Sequence, residues 1–275
     1  MKRKSSLLAS IVLLAGLGTP TWAVDGVVLI DQATAIAGGV TPGDAPGFPV
    51  TIGAPGSYRL AGNLTVPDAN TNAVEISSDH VTLDLNGFAI LGPTDCAGGF
   101  PCANRGIGRG IFSLNAAMNI TVRNGTVQGM GERGIFLTGD SNIVEYIHAR
   151  SNGAHGIVVL RSQHRAGSIV RHNIAELNGE NGIVVAQGLV TYNVADFNRF
   201  GIVALNGAVS HNVATRNIVT GLTLLTDIGG EPSSGGSFIG NVATGSGQND
   251  LFVSSGWLNL GQNLCGIAVC PGAQF

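Results

Sequence analysis

Between about residue 110 and residue 225 the apolar positions form no helical stripe and no long block. They come in short alternating runs, such as Gly156-Ile157-Val158-Val159 and Gly182-Ile183-Val184-Val185, separated by polar and glycine-containing steps. Period-two alternation of β-branched residues is a strand signal, and it places Ile157 with Val159, and Ile183 with Val185, on one side. Each run is four to six residues long, too short to bury its own apolar side. Such strands are stable only when stacked on copies of themselves.

Copies are present. The dipeptide Gly-Ile/Leu recurs at Gly110, Gly134, Gly156, Gly182, Gly201 and Gly221, with spacings of 24, 22, 26, 19 and 20 residues. A second motif, V-x-x-N-x-A-x-x-N, interleaves with it and runs from Val170 to Asn178, Val190 to Asn198 and Val209 to Asn217; degenerate copies begin at Val122, Val144 and Phe238. A fixed repeat of this length marks a solenoid. Stacking its coils at about 4.8 Å builds a continuous aliphatic column. Glycine is expected to supply tight corners of positive φ. The aligned Asn152, Asn178, Asn198 and Asn217 are expected to form a hydrogen-bonded ladder at one corner. A leucine-rich repeat would need an L-x-x-L-x-L pattern, and a helical solenoid a 3.6-residue period; neither occurs. The fold class expected is all-β, a right-handed parallel β-helix (solenoid) with N-terminal and C-terminal caps.

The ends of the chain add a compartment. Lys2, Arg3 and Lys4 precede an apolar stretch from Leu7 to Gly18 and the small-x-small step Thr21-Trp22-Ala23. This is the layout of a cleaved signal peptide, residues 1–23, and the apolar run is short for a membrane span. The expected location is secreted, periplasmic or cell-surface, with no membrane insertion after cleavage. Residues 24–55 are expected to cap the N-terminal end, 56–258 to form the β-helix with insertions at 94–105 and 226–236, and 259–275 to close the C-terminal end. The local pairs Cys96/Cys102 and Cys265/Cys270 read as two small disulfide loops; neither has the companions of a zinc site.

Charge then removes several function classes. Beyond residue 23 there is no lysine, and 11 arginines face 17 acids, a formal charge of 11 − 17 = −6. Nucleic acid and anionic membrane surfaces are excluded as partners, and lysine is excluded as a catalytic base.

The segment Gly56-Ser-Tyr58-Arg-Leu60-Ala-Gly-Asn63-Leu64-Thr-Val66, followed by His80-Val-Thr-Leu-Asp84-Leu-Asn86-Gly87-Phe88-Ala-Ile90, carries a family likeness. With the repeat, it resembles the right-handed β-helix proteins of the pectate-lyase-like superfamily over roughly residues 50 to 260. The resemblance implies that fold and a polysaccharide or cell-surface glycan as partner. It implies no single activity, because the superfamily holds lyases, hydrolases and epimerases. The Asn-Thr-Asp, Asp-Asp, Gly-His-Gly and Arg-Ile-Lys motifs of polygalacturonases are missing. So are the Trp-x-Asp-His and Arg-x-Pro-x-x-Arg segments of calcium-dependent pectate lyases.

In a solenoid, chemistry sits in columns of outward side chains. Aligning the repeats gives one column of Asn124, Tyr146, His172, Tyr192 and His211, and another of Gln128, Arg150, Glu176, Asp196 and Thr215. Alternation favours one exposed side for both. Aromatic faces stack on pyranose rings, arginine holds a uronate carboxylate and histidine or tyrosine exchanges a proton. His172 with Arg150 or Arg171 would suit β-elimination or epimerisation at the sugar C5. Tyr146, Glu176 and Asp196 complete the catalytic candidates, and Tyr192, His211 and Arg171 are binding candidates. Glu176 with Asp196 would alternatively form a hydrolytic acid pair or a calcium site; no other cofactor is expected. Stacked rings and an Arg150–Glu176 ion pair are equally what a structural column would carry. Arg109 and Arg133, each before a Gly-Ile, are expected to stack on neighbouring coils and to offer an anion-binding pair. His155 precedes a strand glycine, and His164 lies in a basic loop. The functional expectation is binding or modification of polysaccharide, with a polyuronate lyase or epimerase as its sharpest form. The alternative is a non-catalytic surface or envelope solenoid.

Overall fold

Short β-branched runs at a fixed repeat build three columns of parallel strands in a computed structural model that describes residues 26–162, 166–226, 235–266 and 268–270. The expected signal peptide, His164 and most of the 226–236 insertion lie outside the described residues.

The first face stacks Val50–Ile52, Val74–Ile76, Ile111–Ser113, Ile135–Thr138 and Ile157–Leu160, then the leading halves of Asn181–Thr191 and Phe200–Ser210, then Thr220–Leu225 and Asn249–Val253. The second face runs from Val27–Ile30 through Gly56–Leu60, Val81–Asp84 and Ser168–Arg171 to Gly236–Ile239 and Leu258–Asn259. The third is narrow, with strands such as Ile174–Glu176, Val194–Asp196 and Val213–Thr215. Every pairing along the stack is parallel; Leu264–Cys265 with Ala268–Val269 is antiparallel and closes the third column. This is the right-handed parallel β-helix.

The core follows from the alternation. Ile111, Ile135, Ile157, Ile183, Ile202 and Leu222 form one buried file, and Val122, Val144, Val170, Val190 and Val209 another. The third face contributes Val127, Ala149, Ala175, Ala195, Ala214 and Ala243, whose small side chains suit the narrow side of the coil.

Two corners flank the third face, and both carry asparagine ladders. The expected one is present: the side-chain amides of Asn152, Asn178 and Asn198 each donate to the Oδ1 of the next asparagine, ending at Asn217, at 2.9, 3.0 and 3.3 Å. A second, equally continuous ladder joins Asn173, Asn193, Asn212, Asn241 and Asn263 at 2.9–3.0 Å. All are buried. Each interior rung also accepts the backbone N–H of the preceding rung and donates to a backbone carbonyl, as Asn193 does for Asn173 and Val170. No side-chain nitrogen or oxygen of these asparagines is without a partner, which is how nine buried amides are tolerated here.

The corner conformations correct one expectation. Gly110, Gly134, Gly156, Gly182, Gly201 and Gly221 do not have positive φ. Positive φ belongs instead to the residue before each ladder asparagine: Ser151, Leu177, Phe197 and Arg216 at one corner, His172, Tyr192 and His211 at the other, with φ between 51° and 56°. The repeat glycines answer a different demand, close approach. A Cβ on Gly182 would lie 2.7 Å from both the Gly201 carbonyl and the Asn198 amide.

Of the segment expected as the N-terminal cap, Val27–Ile30 and Val50–Ile52 pair into the second and first columns, so coil-like stacking begins before Gly56. Between them the helix Gln32–Ala37 starts at an Asp31–Thr34 capping box. Both cysteine pairs are disulfides, Cys96–Cys102 and Cys265–Cys270. This fits an extracytoplasmic, oxidising compartment. Among the described residues no helix is long and apolar enough to cross a membrane.

Candidate functional site

The corner between the second and third faces carries a row of exposed aromatic side chains. Tyr146, His172, Tyr192 and His211 occupy its left-handed positions on four successive coils, each just before a residue that turns inward (Ile147, Asn173, Asn193, Asn212). Left-handed backbone at the corner aims these side chains outward, and the coil spacing stacks them. Ring centroids are 5.1, 5.2 and 5.0 Å apart with interplanar angles of 4°, 6° and 14°. Tyr146 and Tyr192 are about half exposed, 54% and 53%.

This stacking changes what the rings offer. Apart from the Tyr146 face toward the Asn124 coil, the ring faces expected to receive pyranose rings are covered by neighbouring rings of the ladder. Even the far side of His211 lies against the next coil, where a Cβ on Gly240 would be 3.0 Å from the imidazole. What faces solvent is a row of edges: phenol, imidazole, phenol, imidazole, one per coil along the solenoid axis.

Two charged columns flank the row. On the second-face side, Arg59, Asp84, Arg123, Glu145 and Arg171 are in register and alternate in sign. Arg171 donates to Glu145 at 2.7–2.8 Å and Arg123 sits 3.3 Å from Asp84. On the third-face side, Gln128, Arg150, Glu176, Asp196 and Thr215 are in register. Alternation does continue outward through Tyr146 to Arg150 and through His172 to Glu176. The chain bends at the left-handed residue, however, so the rings lie on the corner and the charged column on the adjoining face.

Both carboxylates there are engaged. Glu176 Oε1 is 3.2 Å from Arg150 Nε and 3.1 Å from His148 Nε2. The Arg150 contact is an ion pair and the His148 contact a close approach, neither an aligned hydrogen bond, since neither nitrogen has a partner in hydrogen-bonding geometry. Asp196 accepts from the Thr215 hydroxyl at 2.8 Å and binds the Arg216 guanidinium through both oxygens. A hydrolytic pair needs one protonated and one free carboxyl, and here each carboxylate faces a guanidinium instead. For calcium, no group of three or more His, Cys, Asp or Glu side chains is placed to hold a metal among the described residues.

His148 joins this cluster without having been expected. The signal was available: it lies two residues before Arg150 on the same side of the strand Ile143–Arg150. His155, on the first face, is the histidine most affected by its surroundings. Burial, then the positive charge of Arg133, holds its pKa below the usual imidazole value, while Glu180 and Glu132 pull the other way. Its Nδ1 accepts the Asn181 backbone N–H at 3.3 Å.

The folded chain keeps His155 neutral while the unfolded chain takes up a proton below about pH 6.5, so stability present above that pH is lost as pH falls through it. A His155→Gln variant keeps an acceptor for Asn181 but does not titrate. The stability gap between wild type and His155→Gln, read from urea midpoints, should shift in favour of the variant as pH drops from about 7.5 to about 5.5. A gap independent of pH would rule this out.

No family model and no curated protein matches this chain. Solved structures do. The periplasmic alginate epimerase AlgG superposes with a TM-score of 0.50 at 15% identity, over 85% of this chain and 65% of that one. This chain thus spans a little under two thirds of that epimerase. A double mutant of the same epimerase gives a TM-score of 0.51 at 15% identity, over 78% of this chain and 70% of that one. The A-module of the mannuronan C-5 epimerase AlgE4 of Azotobacter vinelandii gives 0.49 at 16% identity, over 82% and 71%. At this identity the likeness establishes the shared architecture alone, the right-handed parallel β-helix.

Proposed function

We propose that the protein binds a polysaccharide lengthwise along the second–third corner, through the edges of Tyr146, His172, Tyr192 and His211. The observation that carries this reading is the uninterrupted row of phenol and imidazole edges parallel to the coil axis, at 5.0–5.2 Å per ring. An extended glycan advances by a similar length per sugar, so one coil meets one sugar. Phenol hydroxyls both donate and accept, which suits sugar hydroxyls. The flanking Arg171–Glu145 and Arg150–Glu176 pairs add charged acceptors and donors on either side.

The test uses variants that keep the stack and delete only the hydroxyls, Tyr146→Phe and Tyr192→Phe. Wild type should be retained on a glycan array that includes oligouronates. Each variant should weaken the best ligand by roughly tenfold, as expected for one exchanged hydrogen bond in a partly desolvated site. Retention of no glycan by wild type, or unchanged affinity in the double variant, would reject the reading.

The sharper form is a polyuronate lyase or epimerase. It is favoured by His172 lying between two tyrosines, next in sequence to Arg171. His172 would take the C5 proton, Arg171 or Arg150 would hold the adjacent carboxylate, and Tyr146 would serve as the second proton-transfer group. Both reactions start at the same proton. An epimerase returns a solvent proton to C5, so deuterium incorporated there in deuterated solvent detects it; a lyase instead expels the C4 oxygen substituent, and the ultraviolet-absorbing C4=C5 product detects that. Absence of both signals on uronates that bind leaves a non-catalytic surface solenoid that holds glycan. The charge pairing of Glu176 and Asp196 favours that outcome over hydrolysis.

A further inference from the structure

Five guanidinium groups on the described surface each have a carboxylate of their own: Arg123 with Asp84, Arg150 with Glu176, Arg171 with Glu145, Arg199 with Glu180, and Arg216 with Asp196. Arg109 and Arg133 do not. They share Glu132, whose Oε2 is 2.6 Å from Arg109 Nε and whose Oε1 is 3.1 Å from Arg133 Nη2. The two arginines lie on consecutive coils in register, since the Gly110 N–H donates to the Arg133 carbonyl. His155 is the next member of the same column, through the Gly134 N–H and the His155 carbonyl. Arg105 adds a further positive charge nearby, and its Cγ would lie 3.2 Å from a Cβ on Gly153.

The guanidinium groups are also fixed in place. Arg109 lies over the rings of Phe112 and Phe136, 4.5 and 5.2 Å from their centroids, and Arg133 lies 4.3 Å over Phe136. Phe112 and Phe136 are themselves stacked at 5.6 Å. Only about a quarter of each arginine side chain is exposed, 24% and 23%. Arg133 Nε is buried with no acceptor. Two desolvated cations with one anion between them, and an unused donor, form a site with uncompensated positive charge.

We propose that Arg109, Arg133 and His155 form an oxyanion-binding shelf on the first face that takes the carboxylate or sulfate group of an acidic sugar. Guanidinium is suited to planar and tetrahedral oxyanions through paired N–H donors, and pre-stacking on phenylalanine removes the entropy cost of ordering it. His155 adds a third donor: with Nδ1 accepting from Asn181, its proton sits on Nε2. The charges facing His155 are Arg133, Glu180, Glu132 and Arg105. A bound oxyanion offsets the arginines among them, so binding draws a proton onto the imidazole. The shelf lies on a different face from the ring row, and its existence does not depend on the row binding glycan.

The probes are sodium sulfate and sodium glucuronate, with sodium chloride at matched ionic strength, titrated into the full chain while the His155 imidazole is followed by NMR and binding by calorimetry. Sulfate, glucuronate or both should shift the His155 signal saturably, and affinity should rise as pH falls from about 7.5 to about 6. Arg133→Gln and Arg109→Gln should each weaken binding about tenfold. Response to one anion alone supports the shelf and names its source, sulfate ester or uronate. The proposal is overturned if chloride reproduces the shift, or if both variants bind as wild type. Should Arg133→Gln fail to fold, the wild-type titration against chloride decides.

Discussion

Replacing Asn193 by alanine is expected to lower the unfolding free energy by about 4 kcal/mol, among the largest effects of any single side-chain deletion in this molecule. Asn193 is fully buried. Its Oδ1 accepts both the backbone N–H and the side-chain amide of Asn173, each at 3.0 Å. Its Nδ2 donates to the Val170 carbonyl at 2.9 Å and to Asn212 Oδ1 at 3.0 Å. Alanine takes one bond from each of four partners in a place water does not reach; Asn173 Nδ2 keeps the Val144 carbonyl and Asn212 Oδ1 keeps the Asn193 N–H, and each group left unsatisfied costs about 1–3 kcal/mol. Asn217 ends its ladder among the asparagines, so Asn217→Ala should cost less. In a solenoid the damage is local, because each coil contacts only its neighbours. Hydrogen exchange should therefore accelerate on the coils around residues 173 to 212 before it does elsewhere. Uniform acceleration, or a loss under about 1 kcal/mol from urea unfolding, would refute this account of the ladder.

Asn193→Asp separates hydrogen bonding from shape. The carboxylate can still accept from Asn173, but it opposes the Asn212 oxygen and the Val170 carbonyl with no donor. The folded state therefore raises the pKa of the new carboxyl. Stability is retained at low pH, where the acid supplies a proton for that contact, and is lost as pH rises past the ordinary aspartate value. Wild type lacks this dependence at the position, so the difference between the two curves is diagnostic.

The solenoid was legible because its cause is written in sequence: alternation sets each strand, and the repeat sets the stack. The first asparagine ladder was legible for the same reason. The second was present in the same motif, at Asn173, Asn193 and Asn212, but alternation does not reveal a one-residue corner. A left-handed residue at His172 or Tyr192 turns the chain without breaking the inward–outward pattern, and nothing in a histidine or tyrosine announces positive φ. The same blind spot moved the ring column from a flat face to an edge. Aligning the repeats brought Tyr146, His172, Tyr192 and His211 into one file, as the ring stack shows. What the alignment lacked was the consequence of one ring per coil: at 5.0–5.2 Å the rings cover one another's facing sides and present a row of edges to a ligand. The pairing of Glu176 with Arg150 followed from register, whereas the approach of His148 needed the cross-coil geometry.

Gly201→Ala is expected to destabilise the protein by roughly 3 kcal/mol, although it adds one methyl group and the backbone there is not left-handed. The added Cβ would sit 2.3 Å from the Gly221 carbonyl oxygen and 2.6 Å from the Asn217 amide nitrogen. Neither can yield. The Gly221 carbonyl belongs to the next coil, and the Asn217 amide is held by Ala195 and by the Asn198 rung. Relief therefore requires the coils to separate, which strains the ladder and the Ile202–Leu222 contact of the core together. The same collision recurs at Gly134, Gly156 and Gly182, each against the next repeat glycine's carbonyl and a ladder amide. That shared geometry is why the Gly-Ile repeat and the asparagine repeat keep step along the chain. Gly98 supplies the contrast: it has no positive φ, and a Cβ there would meet nothing within 4 Å. Gly98→Ala should change stability by less than about 0.5 kcal/mol. Equal thermal midpoints for Gly201→Ala and Gly98→Ala would show that close approach is not what the repeat glycines serve. A wide separation would tie the spacing of the sequence repeat to a contact between coils.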